Sequence, residues 1–237
     1  MIRYFDDHEL LAALKRGVER SNDIIDKVTE YHGGPLTTEY ILTSDIAREL
    51  IEQGFLVNVE CLNRRAVNAL VSKKASGYRS MGSKRTDLVI WGTELIPAAL
   101  IEVKIGVKTL RKIRPDLRKI TRTISMLKPE FARRVVGSSI FQVHVQGSAR
   151  KWKRAHLQSA IEKIENNLDS ALTQHAKGQR GFSFSMYPLQ SEHAGIVERE
   201  VEDYGQGQEQ GQHGHATRFY AVLIRSTVAL NTSAVSK

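Results

Sequence analysis

Two apolar runs, Thr86-Asp87-Leu88-Val89-Ile90-Trp91 and Ala98-Ala99-Leu100-Ile101-Glu102-Val103-Lys104, flank the segment Gly92-Thr93-Glu94-Leu95-Ile96-Pro97. The first is rich in β-formers, the second alternates across Glu102 and Lys104, and the glycine and proline between them are turn residues. The stretch therefore predicts an antiparallel hairpin. A hairpin that closes symmetrically between Glu94 and Leu95 sets Asp87 opposite Glu102. Directly opposed residues share a face with Cβ atoms about 5 Å apart, and a strand's period of two adds Lys104 to that face. Leu100, Ile101, Val103 and Ile105 make the second run apolar on both sides. Such a strand is expected to be buried on both faces, where unpaired charge is expensive, so three charged side chains converging at one end call for a chemical explanation.

Two carboxylates at that separation repel and raise each other's pKa unless a cation lies between them. A divalent metal removes the conflict. Mg²⁺ prefers oxygen ligands, keeps several waters and takes one or two carboxylates from the protein, with a substrate phosphate completing its shell. Lys104 in such a site is no ligand; its ammonium holds or activates the attacking water, or offsets charge building on a phosphorane-like centre. The plainer alternative is an exposed polar face with a surface ion pair of little energetic worth.

The arrangement of Asp87, fourteen intervening residues and Glu102-Val103-Lys104, within a helix-strand-strand-strand-helix order over roughly residues 36 to 146, resembles the PD-(D/E)xK phosphodiesterase superfamily. That superfamily includes many restriction endonucleases, recombination nucleases and junction resolvases. The resemblance implies a restriction endonuclease-like α/β core with a central mixed sheet flanked by helices. It also implies Asp87 and Glu102 as metal ligands, the Val103 backbone carbonyl as a further ligand, and Lys104 as the catalytic lysine. Thr86 stands where the family name puts proline, a weak position in the pattern.

Residues 37 to 53 predict a helix capped by Thr37 or Thr38 and stopped by Gly54, with Leu42, Ile46 and Leu50 facing inward. Glu39 lies on the same stripe, at the end where the helix dipole favours an anion. In the superfamily an acid on this helix approaches the metal, which makes Glu39 an accessory candidate; its alternative is a residue that only improves the helix start. Residues 55 to 62 predict the first strand, and Glu60 near its end is a second accessory candidate that would face Asp87. The basic connector 63–85, with Arg64, Arg65, Lys73, Lys74, Arg79, Lys84 and Arg85, suits a mobile loop closing over a nucleic-acid backbone or, more plainly, a solvated surface.

Beyond the hairpin, residues 106–127 hold Lys108, Arg111, Lys112, Arg114, Arg118, Lys119 and Arg122 against one acid, Asp116, which is given no catalytic role. Pro115 and Asp116 suit a helix start, with Leu117, Ile120, Ile124 and Leu127 buried and a basic face outside. That face is a candidate seat for phosphates, as is Lys151-Trp152-Lys153-Arg154. Residues 135–146 predict a strand broken by Gly137, with Phe141, Val143 and Val145 in the core and Gln142 and His144 on the other face, where Gln142 could touch substrate. A helix over 155–176 buries Leu157, Ile161, Ile164, Leu168 and Leu172, and strands follow at 182–187 and 218–225. Between those strands the Gly/Gln-rich tract predicts a flexible loop at 205–216; His213 and His215 within it lack further ligands for a structural metal.

The expected organisation is an amphipathic N-terminal helix over 1–35, a nuclease-like core over 36–150 and a C-terminal helix and strands over 151–237 that extend it. The N-terminal helix either caps the core or pairs with a second copy, giving a homodimer. A chain of 237 residues with 41% hydrophobic content and no proline-rich linker builds one large domain or a core with appendages. One cysteine excludes an intramolecular disulfide and suits a reducing cytoplasm, and neither a secretory signal nor a membrane-spanning run is legible. The net charge of +9 calls for an anionic partner, and the basic residues cluster around the hairpin's charged end, so DNA fits better than membrane. The expectation is a nuclease that uses Mg²⁺, with Mn²⁺ as substitute, to cut DNA phosphodiester bonds. Its alternatives are a nucleic-acid-binding module of the same fold that does not cut, and an Mg²⁺ enzyme acting on a small phosphorylated molecule.

Overall fold

The computed structural model describes residues 6–29, 38–67, 70–71, 84–92, 96–148, 154–189, 193–201 and 209–227. Helices α1 (Asp7–Thr29) and α2 (Glu39–Glu52) lead into strand β1 (Leu56–Leu62) and the short α3 (Asn63–Val67). The hairpin strands β2 (Arg85–Trp91) and β3 (Pro97–Lys104) precede α4 (Leu110–Ser125), α5 (Pro129–Ala132) and β4 (Val136–Ser148). Helix α6 (Arg154–Lys177) then leads to β5 (Phe182–Pro188), β6 (His193–Val201) and β7 (Glu209–Ser226). Among the described residues these strands form one mixed sheet in the order β1-β2-β3-β4-β7-β5, with β6 also paired to β7. β3 and β4 are parallel and joined through α4, as a parallel pair demands of its crossover; the other pairings are antiparallel.

Helices cover both faces. Leu10, Leu14 and Val18 of α1 and Leu42, Ile46 and Leu50 of α2 pack with Leu88, Ile90, Ile101, Val103, Ile140 and Phe219 on one side of the sheet. Leu117, Ile120 and Ile124 of α4 and Leu157, Ile161 and Leu168 of α6 pack with Val89, Leu100, Phe141, Val143 and Tyr220 on the other. The N-terminal helix thus caps the core. It lies against α2, where Gly17 lets the two backbones meet: a Cβ at that position would stand 2.8 Å from the Ile46 Cα. Arg16 pairs with Glu49, Arg20 with Glu52, and the Ser21 hydroxyl donates to Asp45 at 2.8 Å, so α1 and α2 are held by polar contacts as well as by the stripe.

Three expectations about elements change. α4 starts at Leu110, with Pro115 inside it. The proline removes one backbone donor near the helix start, and the buried Leu110 and Ile113, in phase with Leu117, hold the turn that precedes it. Gly137 does not break its strand; it makes room for α4, since a Cβ there would lie 2.3 Å from Ile120 Cγ2 and 3.0 Å from Ile224 Cβ. Residues 209–216, expected in a loop, begin β7 and pair with β6 and with the far end of β4. Backbone pairing needs no apolar side chains, so a Gly/Gln tract flanked by two partner strands joins the ladder despite its composition. No helix among the described residues is long and apolar enough to cross a membrane.

Candidate active site

The hairpin register is the one expected. Leu88 pairs with Ile101 and Val89 with Leu100, and one step further along the same register sets Asp87 against Glu102. A shift between Ile90 and Trp91 confines the irregularity to the turn end. Both acids share the sheet face of Val89 and Leu100, which is the face α4 covers.

Asp87 Oδ2 accepts the Val103 backbone N–H at 2.7 Å, tying the acid on β2 to the strand that carries Glu102 and Lys104. Glu102 is 1% exposed. Lys119 reaches it from α4, its ammonium on Glu102 Oε2, while also donating to the Arg85 backbone carbonyl at 2.7 Å. Glu102 Oε1 is buried with no hydrogen-bond partner. Burial, and then the Asp87 carboxylate, push the Glu102 carboxyl up to about 8 despite Lys119, and Asp116 adds to the rise. Lys104 donates to Glu39 Oε2 at 3.0 Å. Burial works against the Lys104 ammonium, but the Glu39 hydrogen bond and the fields of Asp116, Glu39 and Asp87 outweigh it and raise its pKa.

Asp116, buried to 8% exposure, completes the cluster with an unpartnered Oδ2. Burial raises its pKa; Lys104 and Lys119 pull it down, and Asp87 and Glu39 push it further up. The fields of Glu39, Asp87 and Asp116 act on Lys104, and those of Asp87, Asp116 and Lys119 on Glu102, so four acids share two ammonium groups, an excess of two negative charges when all are ionised. Asp116 and Lys119 are the members that sequence reasoning missed. A signal was present: with α4 begun at Leu110, positions 112, 116, 119 and 123 run along one flank of the buried stripe, beside the hairpin.

The other candidates are placed as follows. Glu39 is the first residue of α2, behind Thr38, whose side chain caps the helix by accepting from the Tyr40 N–H at 3.2 Å. Glu60 occupies the register position opposite Asp87, between the pairs Val59–Leu88 and Cys61–Thr86, but with φ of 52° and an exposed side chain. Gln142 is buried on the opposite face from Glu102, in phase with Ile140, and its Nε2 finds no partner, so the expected contact with a substrate at the carboxylates is not formed from this face. His144 follows it on that face and stacks on His215 at 5.3 Å, with Nδ1 3.1 Å from the Thr217 hydroxyl.

Lys84, Arg85, Lys108, Arg111 and Arg118 are exposed. Lys112 is exposed too, but its ammonium turns back onto the Ile105 and Gly106 carbonyls at 2.5 and 3.3 Å. Lys151 and Lys153, and the stretch of the basic connector carrying Lys73, Lys74 and Arg79, lie outside the described residues.

Among the described residues no three His, Cys, Asp or Glu side chains gather into a ready metal-binding group. The carboxylate donors present are nonetheless of the kind a hard divalent cation takes: all oxygen, two of them buried and unpartnered, in a cluster short of two positive charges. Asp87, Glu102 and Asp116 are the residues that could hold such an ion. No protein-family model, curated protein or solved structure matches the chain.

Proposed function

We propose that this protein is a metal-dependent nuclease that hydrolyses DNA phosphodiester bonds, built on a core of the PD-(D/E)xK type. The observation that carries the reading is the meeting of Asp87 and Glu102 at one end of the hairpin, with Lys104 alongside and an unpartnered buried oxygen on Glu102. A structural ion-pair network would close its acceptors; this one leaves them open and the charge unbalanced.

Asp87 and Glu102 would hold Mg²⁺ or Mn²⁺, with the Val103 carbonyl as the further ligand that the superfamily resemblance implies. When bound, the ion lowers the pKa of a water and offsets charge on phosphoryl oxygens. The protein's own residues supply the rest. Val103 N–H fixes the Asp87 carboxylate in orientation, and Glu39 steers the Lys104 ammonium, which keeps its proton and faces the charge that develops on the phosphate. Exposed Arg111 and Arg118 on α4 offer the DNA backbone two cations on the outward side of the helix whose inner flank carries Asp116 and Lys119.

A second reading, a module that binds nucleic acid without cutting, is favoured by one observation: the chain itself supplies Glu102 with a cationic partner, Lys119. The experiment that decides compares wild type with Asp87→Asn, Glu102→Gln and Lys104→Met on linear, circular, single-stranded and branched DNA, in Mg²⁺, Mn²⁺ or EDTA. Cleavage that depends on the metal and on all three residues supports the nuclease. Salt-sensitive binding without cleavage supports the module, and cleavage that survives EDTA and every substitution refutes the mechanism.

A further inference from the structure

We infer that the Lys119 ammonium is a built-in counter-ion on Glu102 that opposes a divalent cation at the same carboxylate, so that the site loads tightly only as Lys119 draws back. The inference rests on the metal-dependent reading above. Lys119 comes from α4, across the layer boundary, and its Nζ reaches both Glu102 Oε2 and the Arg85 carbonyl. Glu102 is fixed in the middle of the sheet at 1% exposure, out of reach of solvent ions, and Lys119 is the cation that the fold brings to it. A divalent ion on the open Glu102 Oε1 would meet the Lys119 ammonium on Oε2 of the same buried carboxylate, and two cations so placed repel strongly where water is excluded, so the ion binds more tightly once the lysine draws back.

Geometry selects the lysine as the group that moves. Its charge rides on a flexible four-carbon stem, and its side chain is 19% exposed against 1% for Glu102, so it has a path outward that the glutamate lacks. The Arg85 carbonyl, which it already contacts, lies on the exposed first residue of β2, and Asp116 stands one turn earlier on the same flank of α4. A withdrawn Lys119 therefore keeps polar company at the rim of the site. The substitution that removes its charge should let the cation bind without that competition.

The test titrates Mn²⁺ into full-length wild type, Lys119→Met, Lys119→Arg and Glu102→Gln by calorimetry. Expected are a Kd at least tenfold tighter for Lys119→Met, no tightening for Lys119→Arg, which keeps a cation, and no binding at the site for Glu102→Gln. In parallel, wild-type lysines are labelled with acetic anhydride and mapped by mass spectrometry. Labelling of Lys119 should rise when Mn²⁺ saturates the site, while that of the remote Lys15 stays constant.

Equal or weaker Mn²⁺ binding by Lys119→Met, with Glu102→Gln still abolishing it, would overturn the counter-ion role and leave the metal site standing. Absence of saturable Mn²⁺ binding in wild type and Lys119→Met alike would overturn both. If Lys119→Met does not fold, the labelling decides: Lys119 reactivity unchanged at saturating Mn²⁺ overturns the inference.

Discussion

Asp87 on β2 accepts the backbone N–H of Val103 on β3 at 2.7 Å, so the acid is oriented by the same strand that carries its partner Glu102. Val103 is fully buried, and its N–H depends on that carboxylate. Asparagine keeps an acceptor there and alanine does not. Asp87→Asn is therefore expected to fold with near wild-type stability, while Asp87→Ala loses about 1–2 kcal/mol more because a buried donor is orphaned. Urea midpoints measure the difference. Both substitutions should lower metal-dependent cleavage by roughly a hundredfold or more, and equal stabilities for the two variants would contradict the structural role.

Two buried groups give the metal-free protein opposite pH dependences. Burial, and then Asp87, hold the Glu102 carboxyl at about 8 against an ordinary 4.5, so between those values the folded chain keeps a proton that the unfolded chain has lost. Stability drawn from this group is present below the unfolded value and lost as pH rises through about 8. His144 is pushed down to about 4 from 6.5 by burial, then by His215 and Lys108, and its contribution is lost as pH falls through that window. Glu102→Gln should flatten the alkaline side of a plot of urea midpoint against pH, and His144→Asn the acid side. Superimposable wild-type and Glu102→Gln curves between about pH 5 and 8 would refute the first assignment. Because the metal needs the ionised carboxylate, its affinity should climb over the same range.

Gly137 is where α4 meets β4, and the Ile120 and Ile224 side chains occupy the space a Cβ would need. Gly137→Ala is expected to cost about 1–3 kcal/mol by overpacking. Since the collision is with Ile120, the double substitution Gly137→Ala/Ile120→Ala should cost less than the sum of the singles. Additive costs in chemical denaturation would show that the strand accommodates the methyl elsewhere.

If the exposed face of α4 seats a DNA backbone, Arg111→Ala and Arg118→Ala should each weaken binding at all sequences alike. Each should also reduce the slope of log affinity against log salt by about 1. Fluorescence anisotropy at several salt concentrations reads both. Lys112→Ala should change the slope less, because its ammonium is engaged by the Ile105 and Gly106 carbonyls. An unchanged slope for both arginines would remove α4 from the interface.

The hairpin was legible because its information is local: alternation, a turn and a register that arithmetic supplies. The stripes of α2 and α6 were legible for the same reason: Leu42, Ile46, Leu50, Leu157, Ile161, Leu168 and Leu172 are buried as predicted, and Ile164 is half-buried. Lys119 was visible only as one of several basic residues in a helix, since its role comes from a helix laid across a hairpin, a tertiary fact. Asp116 was obscured by Pro115: the pair read as a helix start, which hid the first turn of α4 while leaving the stripe Leu117, Ile120 and Ile124 in its true phase. The N-terminal half of β7 was hidden because its pairing is made by backbone groups, which composition does not report.

Glu60 takes a left-handed backbone position within β1, the terminal strand of the sheet. Leu56, Val59 and Leu62 on that strand are exposed apolar side chains, the makings of a sticky rim. A left-handed residue interrupts the even row of amides that a newcomer would zip onto, and the exposed carboxylate it carries resists drying. The price of keeping a carboxylate in that backbone conformation is thus repaid as protection against runaway strand addition between molecules.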